Sequence, residues 1–124
     1  MKRKFLLCRR CGNLIEMIND SGVTPICCGT DMETLVANSK EAATEKHIPV
    51  IEITNNIAKI TVGEVLHPME EEHYIEWISL VKDNKEFFVK LYPEQSAEAR
   101  FPYLKGSTLY AFCNKHGLWK AEVE

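Results

Sequence analysis

Nine residues in this 124-residue chain carry soft or borderline metal donors, five cysteines and four histidines. Four of the cysteines come early. Cys8-Arg9-Arg10-Cys11-Gly12 is a CxxCG segment, and Cys27-Cys28-Gly29 follows after fifteen intervening residues. Four thiolates around one ion make the tetrahedral donor set of zinc or of a single iron. The spacing approximates a zinc ribbon, except that the second pair is adjacent. Gly12 and Gly29 follow the cysteines where the chain must turn sharply. Glycine accepts positive φ there, and it lets backbone N–H groups approach the sulfurs and stabilise their charge. Spacing does not decide between zinc and iron, and ligand type alone favours zinc. A vicinal Cys27–Cys28 disulfide is a strained alternative. Chance burial does not account for two paired clusters.

The remaining donors lie in the second two-thirds of the chain. His47 follows Glu45-Lys46 and precedes Ile48-Pro49-Val50, His67 and His73 bracket Pro68-Met69-Glu70-Glu71-Glu72, and Cys113 and His116 form Cys113-Asn114-Lys115-His116-Gly117. A single loop histidine is most often a solvated surface residue. Here every histidine borders a turn, which favours a shared site. Four imidazoles and one thiolate exceed a structural zinc site. Five protein ligands leave one octahedral position open, which suits an iron that binds a small molecule. The acidic run Glu70-Glu71-Glu72 reads as a solvated loop face.

The elements that must position these groups follow from pattern. Residues 1–36 carry a net charge of +1 and residues 37–124 a net charge of −4, within an overall −3. The small polar stretch 37–44 reads as a linker between a module over 1–36 and a domain over 45–124. The first module falls below the roughly 40 residues at which a core suffices, so it needs a cross-link such as a bound metal. The second region predicts strands over 48–54 and 57–62 around an Asn55-Asn56 turn, and over 73–81 and 86–92 around 82–85. Further strands are predicted over 97–103, 107–113 and 118–123, with Trp119, Ala121 and Val123 on one face. Phe87, Val89 and Leu91 alternate with Phe88, Lys90 and Tyr92, the period of a strand with one buried face. Six or seven short strands with turn residues between them predict an all-β, two-sheet antiparallel sandwich, whose loops can converge at one end.

Composition excludes several classes. At 45% hydrophobic and 27% charged residues the chain is neither disordered nor fibrous. It is not basic enough for a nucleic-acid binder relying on phosphate contacts. No apolar run approaches a membrane span. The basic start is followed by too short an apolar run for a signal peptide, so the expected compartment is the cytoplasm. There, cysteines are expected as metal ligands more than as disulfides.

The segments CRRCG and CCG, followed in order by EKHIPVIE, HPMEEEHYIEWI and CNKHGLWKAE, resemble the desulfoferrodoxins, the two-iron superoxide reductases. The resemblance frames the chain from Cys8 to Glu122, with no matching motif in 82–107. It implies a desulforedoxin-like module holding iron through Cys8, Cys11, Cys27 and Cys28, in place of the zinc favoured by ligand type. It implies an immunoglobulin-like sandwich holding a second iron, with His47, His67, His73 and His116 equatorial, Cys113 axial and the sixth position open. The implied cofactors are two iron ions per chain. The implied activity is one-electron reduction of superoxide to hydrogen peroxide. A homodimer and an electron-carrier protein such as rubredoxin are the implied partners.

Two further residues gain roles from the same resemblance. Lys46 adjoins a ligand and offers the cationic charge that an anionic substrate needs against a net negative domain. Glu45 matches the family glutamate that fills the sixth position of the ferric resting state. Arg9 and Arg10 offer a docking face for an acidic carrier, or solubility alone. A non-enzymatic electron carrier leaves the histidines and Cys113 without a task; a metal-storage or zinc-binding protein is a second alternative, distinguished by iron content and superoxide reactivity. A dismutase is the nearest chemical rival, separated by a reduction potential that sequence does not give.

Overall fold

The computed structural model describes residues 3–37, 49–62 and 69–124. The chain divides into two compact units, Met1–Leu35 and Val36–Glu124. The expected linker falls, from residue 38 onward, outside the described residues. All twelve elements among the described residues are strands.

The first unit holds β1 (Phe5–Leu7), β2 (Leu14–Glu16), β3 (Ile26–Cys27), β4 (Thr30–Asp31) and β5 (Glu33–Thr34). β1 pairs antiparallel with β2 on one side and β5 on the other, and β3 pairs with β4. Sequence pattern does not reveal these strands, because two or three residues are too few to show an alternation. Among the described residues one apolar cluster consists of Leu6, Cys8 and Met32, with Met17 and Cys27 packed against it, and Phe5 and Leu7 are buried as well. A cluster this small cannot offset the ordering entropy of the unit, so its order depends on whatever joins the cysteines. Three ion pairs brace the rim: Arg3–Glu16 at 3.8 Å, Lys4–Asp20 at 3.0 Å and Arg9–Glu33 at 2.6 Å. The last is bidentate, with Arg9 Nε and Nη2 donating to the two Glu33 oxygens. Arg9 is therefore already neutralised by its own unit, which leaves Arg10 of the arginine pair to offer an external charge.

The second unit is a seven-stranded antiparallel sandwich. Its strands are β6 (Pro49–Thr54), β7 (Ile57–Val62), β8 (Ile75–Lys82), β9 (Lys85–Lys90), β10 (Glu98–Pro102), β11 (Thr108–Cys113) and β12 (Gly117–Glu122). One sheet runs β10-β7-β6 and the other β12-β11-β8-β9. The division into three and four strands is that of an immunoglobulin-like sandwich. Both sheets send alternate residues into one core. Ala58, Ile60 and Val62 of β7 meet Ile78 and Leu80 of β8, Leu109 and Ala111 of β11, and Trp119 of β12. Phe87 and Val89 of β9 pack on this core, while Phe88 stays half exposed.

The hairpin turns follow from residues that tolerate a left-handed backbone. Asn55 and Asn56 take φ of 51° and 65° between paired Thr54 and Ile57. Both central residues with φ > 0 make a type I′ turn, whose twist matches the flanking strands. The segment over 82–85 tightens to a two-residue turn at Asp83-Asn84, because Lys82 and Lys85 pair with each other.

One irregularity in β8 matters for what lies at its start. Trp77 pairs with Phe112 but Ile75, not Glu76, pairs with Cys113. Glu76 is thus the extra residue of a β-bulge. Counting inward by twos from Leu80 and Ile78 would send Ile75 outward. The bulge absorbs one residue, so Ile75 is fully buried in the core beside Cys113.

Candidate metal centres

The first centre is built on two hairpins. Cys8 follows β1 and Asn13 precedes β2. Between them the Cys8 N–H donates to the Asn13 carbonyl at 2.8 Å, and the Gly12 N–H donates to the Cys8 carbonyl at 2.9 Å. Gly12 has φ of 84°. This loop aims the N–H groups of Cys11 and Arg10 at the Cys8 sulfur. Cys27 ends β3 and pairs with Thr30 of β4, so Cys28-Gly29 is itself a two-residue turn. Cys28 and Gly29 take φ of 53° and 77°, again the I′ form. That turn resolves the adjacent pair. Successive residues of an extended strand point to opposite faces, and a left-handed Cys28 brings its sulfur back toward that of Cys27.

The four sulfurs lie within 4.8 Å of one another. Cys11 and Cys27 Sγ are 3.6 Å apart. A tetrahedron with metal–sulfur bonds of about 2.3 Å has edges of about 3.8 Å, so the spacing fits a four-thiolate ion site. All five cysteines of the chain are free thiols. Asn13, which sequence reasoning does not single out, donates through Nδ2 to Cys27 Sγ at 3.6 Å.

Electrostatics make the same point. The Cys11 N–H, with help from that of Arg10, lowers the Cys8 thiol to about 6. Cys28 is pushed up to about 12, first by its hydrogen bond with Cys11 and then by that with Cys8. Cys27 is raised for the same first reason. Without a cation the group holds the Cys8 thiolate readily and resists ionising Cys27 and Cys28. A dication or trication is what lets all four ionise.

The second centre lies at one end of the sandwich. Cys113 closes β11 and pairs with Gly117, which opens β12 with φ of 98°. The three-residue loop between them carries His116, whose Nδ1 is 3.8 Å from Cys113 Sγ. His73 comes from the segment leading into β8. Its ring meets that of His116 edge to face, with centroids 4.8 Å apart at 76°. Donor atoms of His73, Cys113 and His116 all lie within 4.8 Å of one another. The bulge at Glu76 serves this meeting, since His73 precedes inward-facing Ile75 by two residues. Ile75 and Ile78, three apart and both apolar, are the one trace of the bulge in the sequence.

The lead-in segment is tightly folded. Glu70 and His73 exchange both backbone hydrogen bonds at 3.0 Å, closing a turn whose tip is Glu71-Glu72. The acidic run is therefore an exposed turn that presents His73. Cys113 is fully buried, and burial raises its thiol above the ordinary range, partly offset by the N–H groups of His116 and Lys115. A metal ion would reverse that balance, because a coordinating thiol ionises outright. Two imidazoles and a thiolate are a donor set for zinc, iron or copper. The remaining expected groups, Glu45, Lys46, His47 and His67, lie outside the described residues.

Both centres use one local device. Cys8-x-x-Cys11-Gly12 and Cys113-x-x-His116-Gly117 each place a cysteine at a strand end, aim the N–H groups two and three residues later at its sulfur, and leave through a left-handed glycine.

Comparison with known proteins agrees with this architecture. The family model described as Desulfoferrodoxin matches residues 39–122. The chain is 43% identical over 122 residues to the desulfoferrodoxin of Syntrophotalea carbinolica, covering 98% of this chain and 97% of that one. Among solved structures it resembles the superoxide reductase of Treponema pallidum, with a TM-score of 0.77 and 28% identity, covering 98% of both chains. It also resembles the superoxide reductase (1Fe-SOR) of Giardia intestinalis, with a TM-score of 0.54 and 30% identity, covering 63% of this chain and 96% of that one. With a family model matching residues 39–122 and 43% identity along almost the whole length of a desulfoferrodoxin, the chain belongs to the desulfoferrodoxin family.

Proposed function

We propose that this protein is a superoxide reductase that takes superoxide, one electron and two protons to hydrogen peroxide. The observation that carries this reading is the meeting of buried Cys113 with His73 and His116 at the end of the sandwich. The fold likeness to superoxide reductases supports it. In this reading His47, His67, His73, His116 and Cys113 hold one iron, and Cys8, Cys11, Cys27 and Cys28 hold another. Bound at the first set, ferrous iron supplies a one-electron reductant with one coordination position left by the five protein ligands.

The chain's own residues do the rest. Cys113 is buried, and its sulfur accepts N–H groups from Lys115 and His116, which would spread thiolate charge and hold the sulfur in place as a donor. Lys46, next to His47 in sequence, draws a small anion toward a domain of net negative charge. Glu45 would offer a carboxylate as a further donor to the oxidised ion. The electron comes from an external carrier of the rubredoxin kind, and the protein works as a homodimer in the cytoplasm.

The test mixes anaerobically reduced, iron-loaded protein with limiting superoxide and counts peroxide and oxygen. One peroxide per superoxide without oxygen supports a reductase. One peroxide per two superoxides with oxygen released means dismutation. No oxidation of the protein above the buffer control returns the chain to an electron carrier or metal-binding role.

A further inference from the structure

Asn114 lies between two of the grouped donors, Cys113 and His116, yet its side chain points to neither. Its Oδ1 accepts the Tyr74 N–H at 3.0 Å, and its Nδ2 donates to the Glu72 carbonyl at 3.0 Å. Its backbone N–H adds a bond to the Tyr74 carbonyl at 3.3 Å. The two side-chain bonds grip the peptide groups on both sides of His73, and the backbone bond holds the next one. The His73 N–H and carbonyl are themselves committed to Glu70. The histidine is thus held at four consecutive backbone groups, the Glu72 carbonyl, its own N–H and carbonyl, and the Tyr74 N–H, and the two loops that carry the donors are joined by one amide.

We propose that Asn114 is a positioning residue that locks the His73 loop to the Cys113–His116 loop and thereby sets the geometry and retention of the ion at that site. The inference rests on the reading of His73, Cys113 and His116 as ligands of one iron. Chemistry explains the residue type. The grip needs one acceptor for an N–H and one donor for a carbonyl, about two atoms apart on a short stem. Asparagine has both on one planar group. Aspartate keeps the acceptor for Tyr74 but sets a carboxylate oxygen against the Glu72 carbonyl. Alanine removes both bonds and leaves the part-buried Tyr74 N–H and the exposed Glu72 carbonyl to find water. The centre then keeps all its donors but loses the strap between them. Loss of such an outer partner typically weakens metal retention about 10–100-fold.

The experiment uses the full-length, iron-loaded protein with N114A, N114D and H73A variants. Two quantities are read: the thiolate-to-iron absorption of the His/Cys centre, and the rate at which a chelator strips iron from each centre. The four-cysteine centre in the same molecule is the control. Asn114→Ala is expected to release iron from the His/Cys centre at least about 10-fold faster and to shift its absorption, with the four-cysteine rate unchanged. Asn114→Asp is expected to fall between N114A and wild type or to match N114A. Wild-type release and absorption in both variants overturn the proposal, as does equal acceleration at both centres, which would be general loosening. Wild-type superoxide turnover, run in parallel, separates the two readings. A protein that holds iron at this centre, loses it faster with N114A and leaves superoxide untouched supports the strap and overturns the reductase.

Discussion

Substituting Gly117 by alanine isolates a single physical term at the second centre. Gly117 has φ of 98°, and a Cβ built there meets no atom within 4 Å. There is room for the methyl group, so no clash enters. The cost is the left-handed backbone alone, about 1–2 kcal/mol for an L-residue. For a unit of 60–100 residues each kcal/mol moves the melting temperature by about 4–8 °C, so unfolding of the second unit should fall by roughly 4–16 °C. Asparagine tolerates this region better than other non-glycine residues, so Gly117→Asn should recover part of the loss. Scanning calorimetry on metal-loaded and metal-free protein measures both. The glycine also fixes the exit of the loop that aims two N–H groups at Cys113, so the alanine variant should shift the thiolate-to-metal absorption as well. A melting temperature within about 2 °C of wild type for Gly117→Ala would refute the strain account, and an asparagine variant no better than alanine would refute its left-handed origin.

Other expectations are as direct. Stripping the first unit with a chelator should abolish its amide-exchange protection while the sandwich keeps its own, because the buried apolar residues described in it are few: Phe5, Leu6, Leu7, Cys8 and Met32. Arg9→Ala should cost at most about 1 kcal/mol, the pair being exposed. Arg9 holds the Glu33 carboxyl below the ordinary range, so the bond contributes stability above the unfolded glutamate pKa of about 4.3 and loses it as pH falls through the lower folded value. Lys46→Ala should slow the encounter with superoxide and flatten its salt dependence in pulse radiolysis, and an unchanged rate at low salt would exclude steering.

What could be read in advance depended on the range of the signal. The strands of the sandwich are five to eight residues long and half-buried, so alternation in Ile57–Val62 or Lys85–Lys90 marks them directly. The Asn55-Asn56 turn is legible because its backbone requirement is local. The four-cysteine group is legible from donor type and number. The strands of the first unit escape because two or three residues carry no period. The Glu76 bulge leaves a displaced isoleucine and nothing else, since a register shift is a property of two strands. Asn13 and Asn114 escape for a related reason. Their partners lie 14 and 40–42 residues away, and an asparagine in a loop reads first as turn chemistry. The cysteine pairing at 27 and 28, odd as a spacing, becomes ordinary once the second cysteine is seen as a turn residue.

The brevity of the Cys113–Gly117 loop bears on redesign. Its three residues have separate duties: Asn114 straps, Lys115 lends a backbone donor while its side chain stays in water, and His116 offers a nitrogen. No position there is spare, and a lengthened loop would break the strand pairing that frames it. Anyone wishing to change the ion preference of this scaffold should leave that loop intact and begin on the facing segment, where the exposed side chains of Glu71 and Glu72 can be varied at fixed length without touching the backbone groups that hold His73.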